Sequence, residues 1–486
     1  MVTTYTYDDF KRLSTQTRDG ITTLFSYDAG GNRVATTVKG RNNGEITTLQ
    51  RYSLGNLVES EDALGNVTAY GESYATDATS GVVTYTQSVT NPDNSTQQGI
   101  SVNGLNSSSS GTAQHTQSYT YGPNWQKANE QNITVYRDLL GRSFKTEYAD
   151  GTSSMNYYNN KKQLIRSVSP GGVVTLYTYD NAGRQIKQVV DVDRNMIPSP
   201  QDLTTSTEYS FGTYEGKSVI VSTATRSQMG NSTVISTSRR SVDGFDSWST
   251  DAAGLTTHSK FERLGGGRTR QTVTAPTGIK QITETLNGRT DFVQVYDSAN
   301  SLNSVTSYTY DEFNRVGAVS ERNGANELLN EVSYSYNVNG EVLTQSVNGQ
   351  ITSFEYDVMG RQTKVTAPGG VVTNYQYYPT GELKRVDGSE YPVEFSYDEL
   401  GNKKTMKTYK DATTPQVTTW NYNNRNFLIS KVYADGTGPS YTYNADGQMV
   451  TRSWVRQING TPLTTTYSYD NAGRMTGYAY NDGVTP

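Results

Sequence analysis

"YSYDNAGRMT" at residues 467–476 and "YTYDNAGRQI" at 177–186 share the pattern Y-x-Y-D-N-A-G-R although nearly three hundred residues separate them. A reaction centre is normally built once, so a phrase that recurs reads as a building unit. Within it Tyr467 and Tyr469 flank Ser468, as Tyr177 and Tyr179 flank Thr178; this two-residue period places both rings on one face of a strand. Asp then opens a turn. Its carboxylate accepts backbone N–H groups, and the Gly three positions later takes the positive φ that closes the reversal. The following Arg starts the return strand, placed either to bond the turn Asp or to lie across a neighbouring Tyr ring.

Working outward from this phrase, the second Tyr recurs at Tyr310, Tyr336, Tyr356, Tyr377, Tyr397, Tyr422, Tyr443 and Tyr469, mostly at steps of 20 or 21 residues. The same phase holds at Tyr7 and Tyr27, and at Tyr136, Tyr157 and Tyr179. The repeat positions are Tyr7 and Asp8; Tyr27 and Asp28; Tyr179, Asp180, Gly183 and Arg184; Tyr310 and Asp311; Tyr356, Asp357, Gly360 and Arg361; Tyr397, Asp398 and Gly401; and Tyr469, Asp470, Gly473 and Arg474. A second turn follows in forms such as "SPGGVVT" at 169–175 and "APGGVVT" at 367–373. One unit is therefore two short strands and two turns. About twenty residues cannot bury a face alone, so the units must continue into one another.

The expectation is an all-β chain: tandem repeats of about 20 residues forming a long antiparallel strip wound into a spiral or a partial hollow shell. It is read as one continuous region over 1–486, with clear repeats at 1–60, 136–190 and 305–480. Degenerate repeats with longer loops are expected at 60–135 and 190–304, and the chain is expected to be a piece of a longer parent. "MVTTYTYDDF" lacks the basic and apolar regions of a secretory signal, and no apolar run approaches a membrane span.

Composition removes several function classes. Only 33% of the residues are hydrophobic, while 37 are Tyr, so the buried area comes largely from rings that carry a hydroxyl. Lys and Arg number 42 against 47 Asp and Glu, scattered along the chain, which leaves no basic footprint for nucleic acid. The absence of cysteine excludes disulfides, thiolate metal sites and cysteine nucleophiles. His115 and His258 are far apart in sequence and read as structural or surface imidazoles.

Local motifs fare no better as chemistry. "GKS" at 216–218 has Phe211 where a phosphate loop needs Gly. "DVDRNMIPSPQD" at 191–202 spaces Asp191, Asp193, Asn195 and Asp202 like a calcium loop, but Met196 stands where that loop needs Gly, so a solvated insertion is expected. The repeated aspartates already have work in their turns. No catalytic, cofactor or metal residues are assigned, and the chain is expected not to be an enzyme. Trp125, Trp248, Trp420 and Trp454 are candidate stacking platforms for a glycan, although their separate contexts favour packing.

The phased Y-D-x-x-G copies resemble the RHS or YD-repeat family: bacterial Rhs effectors, Tc toxin B and C components, wall-associated polymorphic toxins and teneurins. The resemblance implies a β-strip wound into a hollow shell. In toxin members that shell encloses a C-terminal toxin, and in teneurins it supports adhesion. No D-P-x-G-L-type segment precedes "NDGVTP", so no self-cleavage residue is carried over. The function this implies is a non-catalytic shell segment that encapsulates or scaffolds a polypeptide such as a toxin during delivery, secreted or at the cell surface. Its partners would be the parent's remaining repeats and cargo, with no nucleic acid and no membrane insertion. The alternatives are an extracellular module binding a glycan or a surface protein, and behind it a polysaccharide-degrading enzyme.

Overall fold

The computed structural model describes residues 3–79, 83–108, 111–119, 133–398, 400–411 and 413–483, with backbone alone over 97–108 and 111–119. Forty strands and no helix make up the regular structure of the described residues. Each strand pairs antiparallel with the strands before and after it in sequence, from Thr3–Tyr7 to Met475–Tyr480. Spatial order is therefore chain order, a single meander. Among the described residues no pairing joins the first strand to the last.

The strip has two edges with different turn chemistry. At the YD edge the 180–184 turn is typical: the Asp180 N–H donates to the Arg184 carbonyl at 2.9 Å, and the Gly183 N–H to the Asp180 carbonyl at 3.0 Å. The register slips by one residue at Tyr179 and Gly183 has φ +84°, a type I turn closed by a left-handed residue and a bulge. Asn314, Asn426 and Lys162 fill the same left-handed position elsewhere. The opposite, return edge carries turns such as 169–173 and 148–152, and tight pairs such as Asp19-Gly20 with both residues at positive φ.

The two faces also differ. Cross-strand hydroxyl pairs hold one face, among them Thr6–Thr15 at 2.6 Å, Ser335–Thr344 at 2.6 Å and Thr442–Thr451 at 2.7 Å. The repeat tyrosines and their cation partners hold the other. Few side chains are fully shielded: among the described residues Val174, Val189, Val219 and Trp248 are the buried apolar ones. The accessible surface is 28363 Å². A compact monomer of this mass would expose about 18,000 Å². The excess means that the sheet is wetted on both faces, and among the described residues no second layer packs on it.

That layer coils. Contacts between residues 268 to 279 apart recur along the chain: Asn287 reaches Asp19, Asn339 reaches Asp62, Arg361 reaches Asp93, Arg425 reaches Thr152 and Asn471 reaches Val192. A constant offset in sequence means that the strip returns to the same place after a fixed length. Twenty-one strands separate the first three of these pairs and twenty-three the last two. At about 4.8 Å per strand the circuit measures roughly 100–110 Å, about 30–35 Å across between opposite walls. Allowing about 10 Å for the wall itself leaves a lumen roughly 20–25 Å wide.

Between 190 and 304 many of the extra residues enter long strands, such as Leu203–Tyr214, Lys217–Gln228 and Asn231–Ser241, while residues 192–202 form a longer loop as expected there.

Candidate functional site

The recurring residues form a clasp between successive units. Each repeat Asp accepts two turn amides: Asp180 Oδ1 takes the N–H groups of Ala182 and Arg184, both at 2.9 Å, and Asp357 and Asp470 do the same for Met359 and Arg361 and for Ala472 and Arg474. Asp8, Asp28, Asp311 and Asp398 repeat the arrangement or its outer half. The Arg that ends the turn donates Nε back to the same carboxylate at 2.7 Å in Arg184 and Arg361 and 2.8 Å in Arg474. These donors, the Arg184 amide foremost, hold the Asp180 carboxyl below its ordinary range. Gly183, Gly360, Gly401 and Gly473 all have positive φ.

The next Tyr completes the clasp. Tyr27, Tyr179, Tyr310, Tyr356, Tyr397 and Tyr469 donate their hydroxyls to the carbonyls of Leu13, Leu164, Thr290, Val342, Leu383 and Met449, each at 2.8 or 2.9 Å, across to the preceding unit. Those carbonyls sit beside the bulge, where the ladder leaves an acceptor open. Arg12 lies 4.6 Å over the Tyr27 ring and Arg361 5.2 Å over Tyr377, so the turn Arg both bonds its own Asp and covers the next ring. Tyr7, on the first described strand, is 62% exposed.

The seam between passes of the spiral is the second level of the site. There the YD edge of the later pass sits on the return edge of the earlier one. Glu312 accepts the N–H groups of Asn42 at 3.1 Å and Gly44 at 3.0 Å, while Arg41 reaches the carbonyl of Asp311 at 3.3 Å. A Cβ on Gly40 or Gly44 would lie 2.7 or 2.5 Å from the Glu312 carboxylate, so a side chain at either position would push that carboxylate aside. Arg425 donates to Thr152 at 3.1 Å and Asp150 at 3.4 Å and lies 4.4 Å over Tyr148; Asn424 donates to the Ala149 carbonyl at 3.3 Å. Asp446 accepts the Gly171 N–H at 2.7 Å, and Arg474 donates to Gln228 at 2.7 Å. Burial pushes the Asp19 carboxyl up, but Arg41, Arg289 and Asn287 outweigh it and hold the group low; Asp62, Asp93 and Asp150 follow the same pattern with their own partners.

This seam has no signal in the sequence, although its glycines at 40 and 44 and the acid at 312 are visible as letters. Contacts across some 270 residues carry no local period.

Two other clusters are structural in their bonding. Asp246, 2% exposed, accepts from Lys217 and from His258 Nε2 at 2.9 Å; burial raises its carboxyl, and Lys217 and His258 outweigh that and leave it low. His258 stacks on Trp248, whose ring meets Tyr214 edge-on and whose N–H donates to Glu215 at 3.1 Å. Lys217 of the "GKS" stretch thus faces a carboxylate, beyond a two-residue turn at Glu215-Gly216.

The 191–202 loop is exposed over 193–198, as expected of a solvated insertion, but the acids at its two ends are not: Asp191 and Asp202 are 0% and 1% exposed. Carboxylate oxygens of Asp191, Asp193 and Asp202 lie within 4.8 Å of one another. The two buried groups take the amides of Asn195, Met196, Val192 and Ser199, which explains their burial as the ties of a folded loop.

Trp420 lies among Lys403 and Lys431, and Trp454 lies under Arg452, each in its own strand neighbourhood. Trp125 is outside the described residues, and His115 lies where only backbone is described.

No curated protein matches the chain. Solved structures similar to it include the crystal structure of TcdB2-TccC3-TEV, at 13% identity and a TM-score of 0.39 over 99% of this chain and 35% of that one. Another is the Photorhabdus luminescens Tc holotoxin pore, at 14% identity and 0.45 over 98% and 29%. The chain spans about a third of the length of these proteins. The family model described as RHS Repeat matches residues 158–195 and 332–372, the first containing the 177–186 phrase and the second the Tyr356 turn. The chain carries RHS repeats.

Proposed function

We propose that this chain is a wall segment of a hollow RHS shell, secreted or at the cell surface, which encloses or scaffolds a polypeptide without acting on it chemically. The observation that supports this reading is the single wetted layer coiled on itself through one seam, with 28363 Å² of surface on a 486-residue chain. A lumen roughly 20–25 Å wide admits an extended or loosely folded chain, and is narrower than most folded domains of 100 residues. The repeat residues act in this reading as structure: Asp and Gly shape the turn, Arg and Tyr lock one unit to the next. The partners are further repeats and an enclosed polypeptide.

The test is protease protection. A passenger of unfolded polypeptide fused to the chain should survive a protease that digests the same passenger alone, and small-angle scattering should show a hollow particle. Digestion of both at one rate would overturn enclosure. Binding of a glycan or surface protein by the outer wall is the alternative, to be read on a glycan array with the same protein.

A further inference from the structure

Lys217 and Asp246 differ from the other lysine–carboxylate pairs of the described residues. The carboxylates that meet Lys39, Lys145, Lys260, Lys364 and Lys407 keep 28–63% of their side-chain surface. Asp246 keeps 2%.

The backbone aims the two partners at each other. Lys217 opens the strand Lys217–Gln228 directly after the Glu215-Gly216 turn, whose two residues both have positive φ, so the base of its side chain is fixed. Asp246 opens the strand Asp246–Asp251, two strands further on, and its N–H donates at 2.9 Å to the hydroxyl of Ser241, a buried residue. Lys217 Nζ donates to Asp246 Oδ2, and His258 Nε2 donates to Oδ1 at 2.9 Å. One carboxylate oxygen therefore carries an amine and the other an N–H donor.

The surroundings are apolar and aromatic. Trp248 is buried two residues along the same face, with Tyr214 edge-on to its ring and His258 stacked on it. Val219, two residues from Lys217, is buried as well. Glu215 accepts the Trp248 N–H at 3.1 Å. The Lys217 side chain is 40% exposed, so the pair opens to water on the lysine side.

A shielded carboxyl held between a fixed amine and a fixed donor has the geometry that amide formation requires. We propose that Lys217 and Asp246 condense into an intramolecular amide, which straps the 203–228 hairpin to the strand beginning at Asp246, past the intervening strand Asn231–Ser241. Nζ passes one proton to Oδ2 along the hydrogen bond they share, which leaves a neutral amine beside a neutral acid without changing the net charge. The nitrogen lone pair forms the N–C bond at Cγ, one bond beyond the oxygen that Nζ already touches. Charge collects on Oδ1, where the His258 N–H stabilises it. A second proton moves from nitrogen to Oδ2, the Cγ–Oδ2 bond breaks, and Oδ2 leaves as water on the open side. The third proton stays on the amide nitrogen and Oδ1 becomes the amide carbonyl, so one amine and one acid give one amide and one water.

Free amines and acids in water do not condense to any extent. Groups held in contact by a fold react at an effective concentration of about 10⁵–10⁸ M, which reverses that balance. The resting pair is charged, since the Asp246 carboxylate holds the Lys217 ammonium above its ordinary range. The first proton transfer is uphill and closure is slow, which a step taken once per molecule tolerates.

The test is the mass of the full chain, read after denaturation. The wild type should be lighter than its sequence by one water after prolonged incubation at neutral pH, and digestion should release a branched peptide joining residues 217 and 246. Lys217→Arg keeps a cation that stays charged and cannot attack, and it should keep the full mass. This variant also separates the amide from succinimides, which lose the same water at Asp-Gly steps such as 150–151. His258→Phe keeps a ring for Trp248 to stack on and removes the donor; its closure should be slower by about a hundredfold. A wild type that keeps its full mass, a water lost equally from Lys217→Arg, or branched peptides at other positions would overturn the proposal. Closure of His258→Phe at the wild-type rate would overturn the part given to the imidazole. The mass is read on the chain alone, so this result and passenger protection fail separately.

Discussion

The twin turns 180–184 and 470–474 have the same sequence, the same internal bonds and different surroundings. Asp180 and Asp470 each take two amides and an Arg Nε, and Gly183 and Gly473 both have positive φ. At 180–184 the turn lies on an outer rim, with Asn181, Ala182 and Gly183 exposed. At 470–474 it sits in the seam, where Asn471 donates to the Val192 carbonyl at 3.0 Å and Arg474 to Gln228 at 2.7 Å. The repeat therefore folds without reference to its neighbour pass, and the seam is added to a turn that is already complete. Variants in matched pairs separate the two levels.

The largest effect should be indifferent to the seam. Tyr179 and Tyr469 each bond a carbonyl of the preceding unit at 2.8 Å and pack on the ring face. Replacing either with Ala should cost about 2–3 kcal/mol in denaturant melts, and either Phe variant about 1 kcal/mol, the hydroxyl's share. Unequal losses at the two sites would show that the ladder leans on the seam after all.

Arg425 and Lys161 occupy the same position of matching turns, and here the seam should dominate. Arg425→Ala removes bonds to Asp150, Thr152 and the Ala445 carbonyl and uncovers Tyr148. Its expected cost is about 2–3 kcal/mol. Lys161→Ala should change stability by less than about 0.5 kcal/mol. Equal effects would remove the distinction between seam and rim.

This pairing marks where the sequence stops being informative. Strand, turn and ring face follow from a period of two within a period of about twenty, because each is fixed by residues within one unit or the next. The Asp turn and its Arg were likewise legible as types at fixed spacing, but the bond from each Tyr hydroxyl to the preceding unit's carbonyl was not. The seam was not, since which Asn or Arg reaches an earlier pass depends on the length of a whole circuit. Glu312 in "DEF" and Asp9 in "DDF" read alike as letters; one caps the 40–44 turn and the other stands on a rim. The burial of Asp191 and Asp202 was missed for a related reason, as their partners are amides of a loop with no repeat to compare.

Acid should open the seam. Asp19, Asp62, Asp93 and Asp150 keep carboxyls below the ordinary range because seam and turn donors outweigh burial. A group whose folded pKa is lowered stabilises fully above its unfolded value, about 4, and loses that contribution as pH falls through the folded value. Melting temperature should be level from about pH 8 to 5 and drop below about 4. Hydrogen exchange in that range should rise at residues 19, 62, 93 and 150 and their partners. A rise at 433–437 of the same size would mean that acid loosens turns in general.

The smallest contrast is the most direct, because it lies within the twin phrase itself. Asn471→Ala deletes one bond to the Val192 carbonyl and leaves the 470–474 turn its Asp, Gly and Arg. The expected loss is about 1 kcal/mol. Asn181→Ala deletes a side chain exposed on the rim, and its expected change is within about 0.5 kcal/mol. The Val192 carbonyl belongs to the strand-to-loop junction whose amide is held by Asp202 at 2.8 Å, so its release should also raise hydrogen exchange at 192–196 in the Asn471 variant and leave it unchanged in the Asn181 variant. Exchange that rises in both would place the effect in the turn; exchange that rises only with Asn471 places it in the contact between passes, where one copy of the phrase has a partner and the other has water.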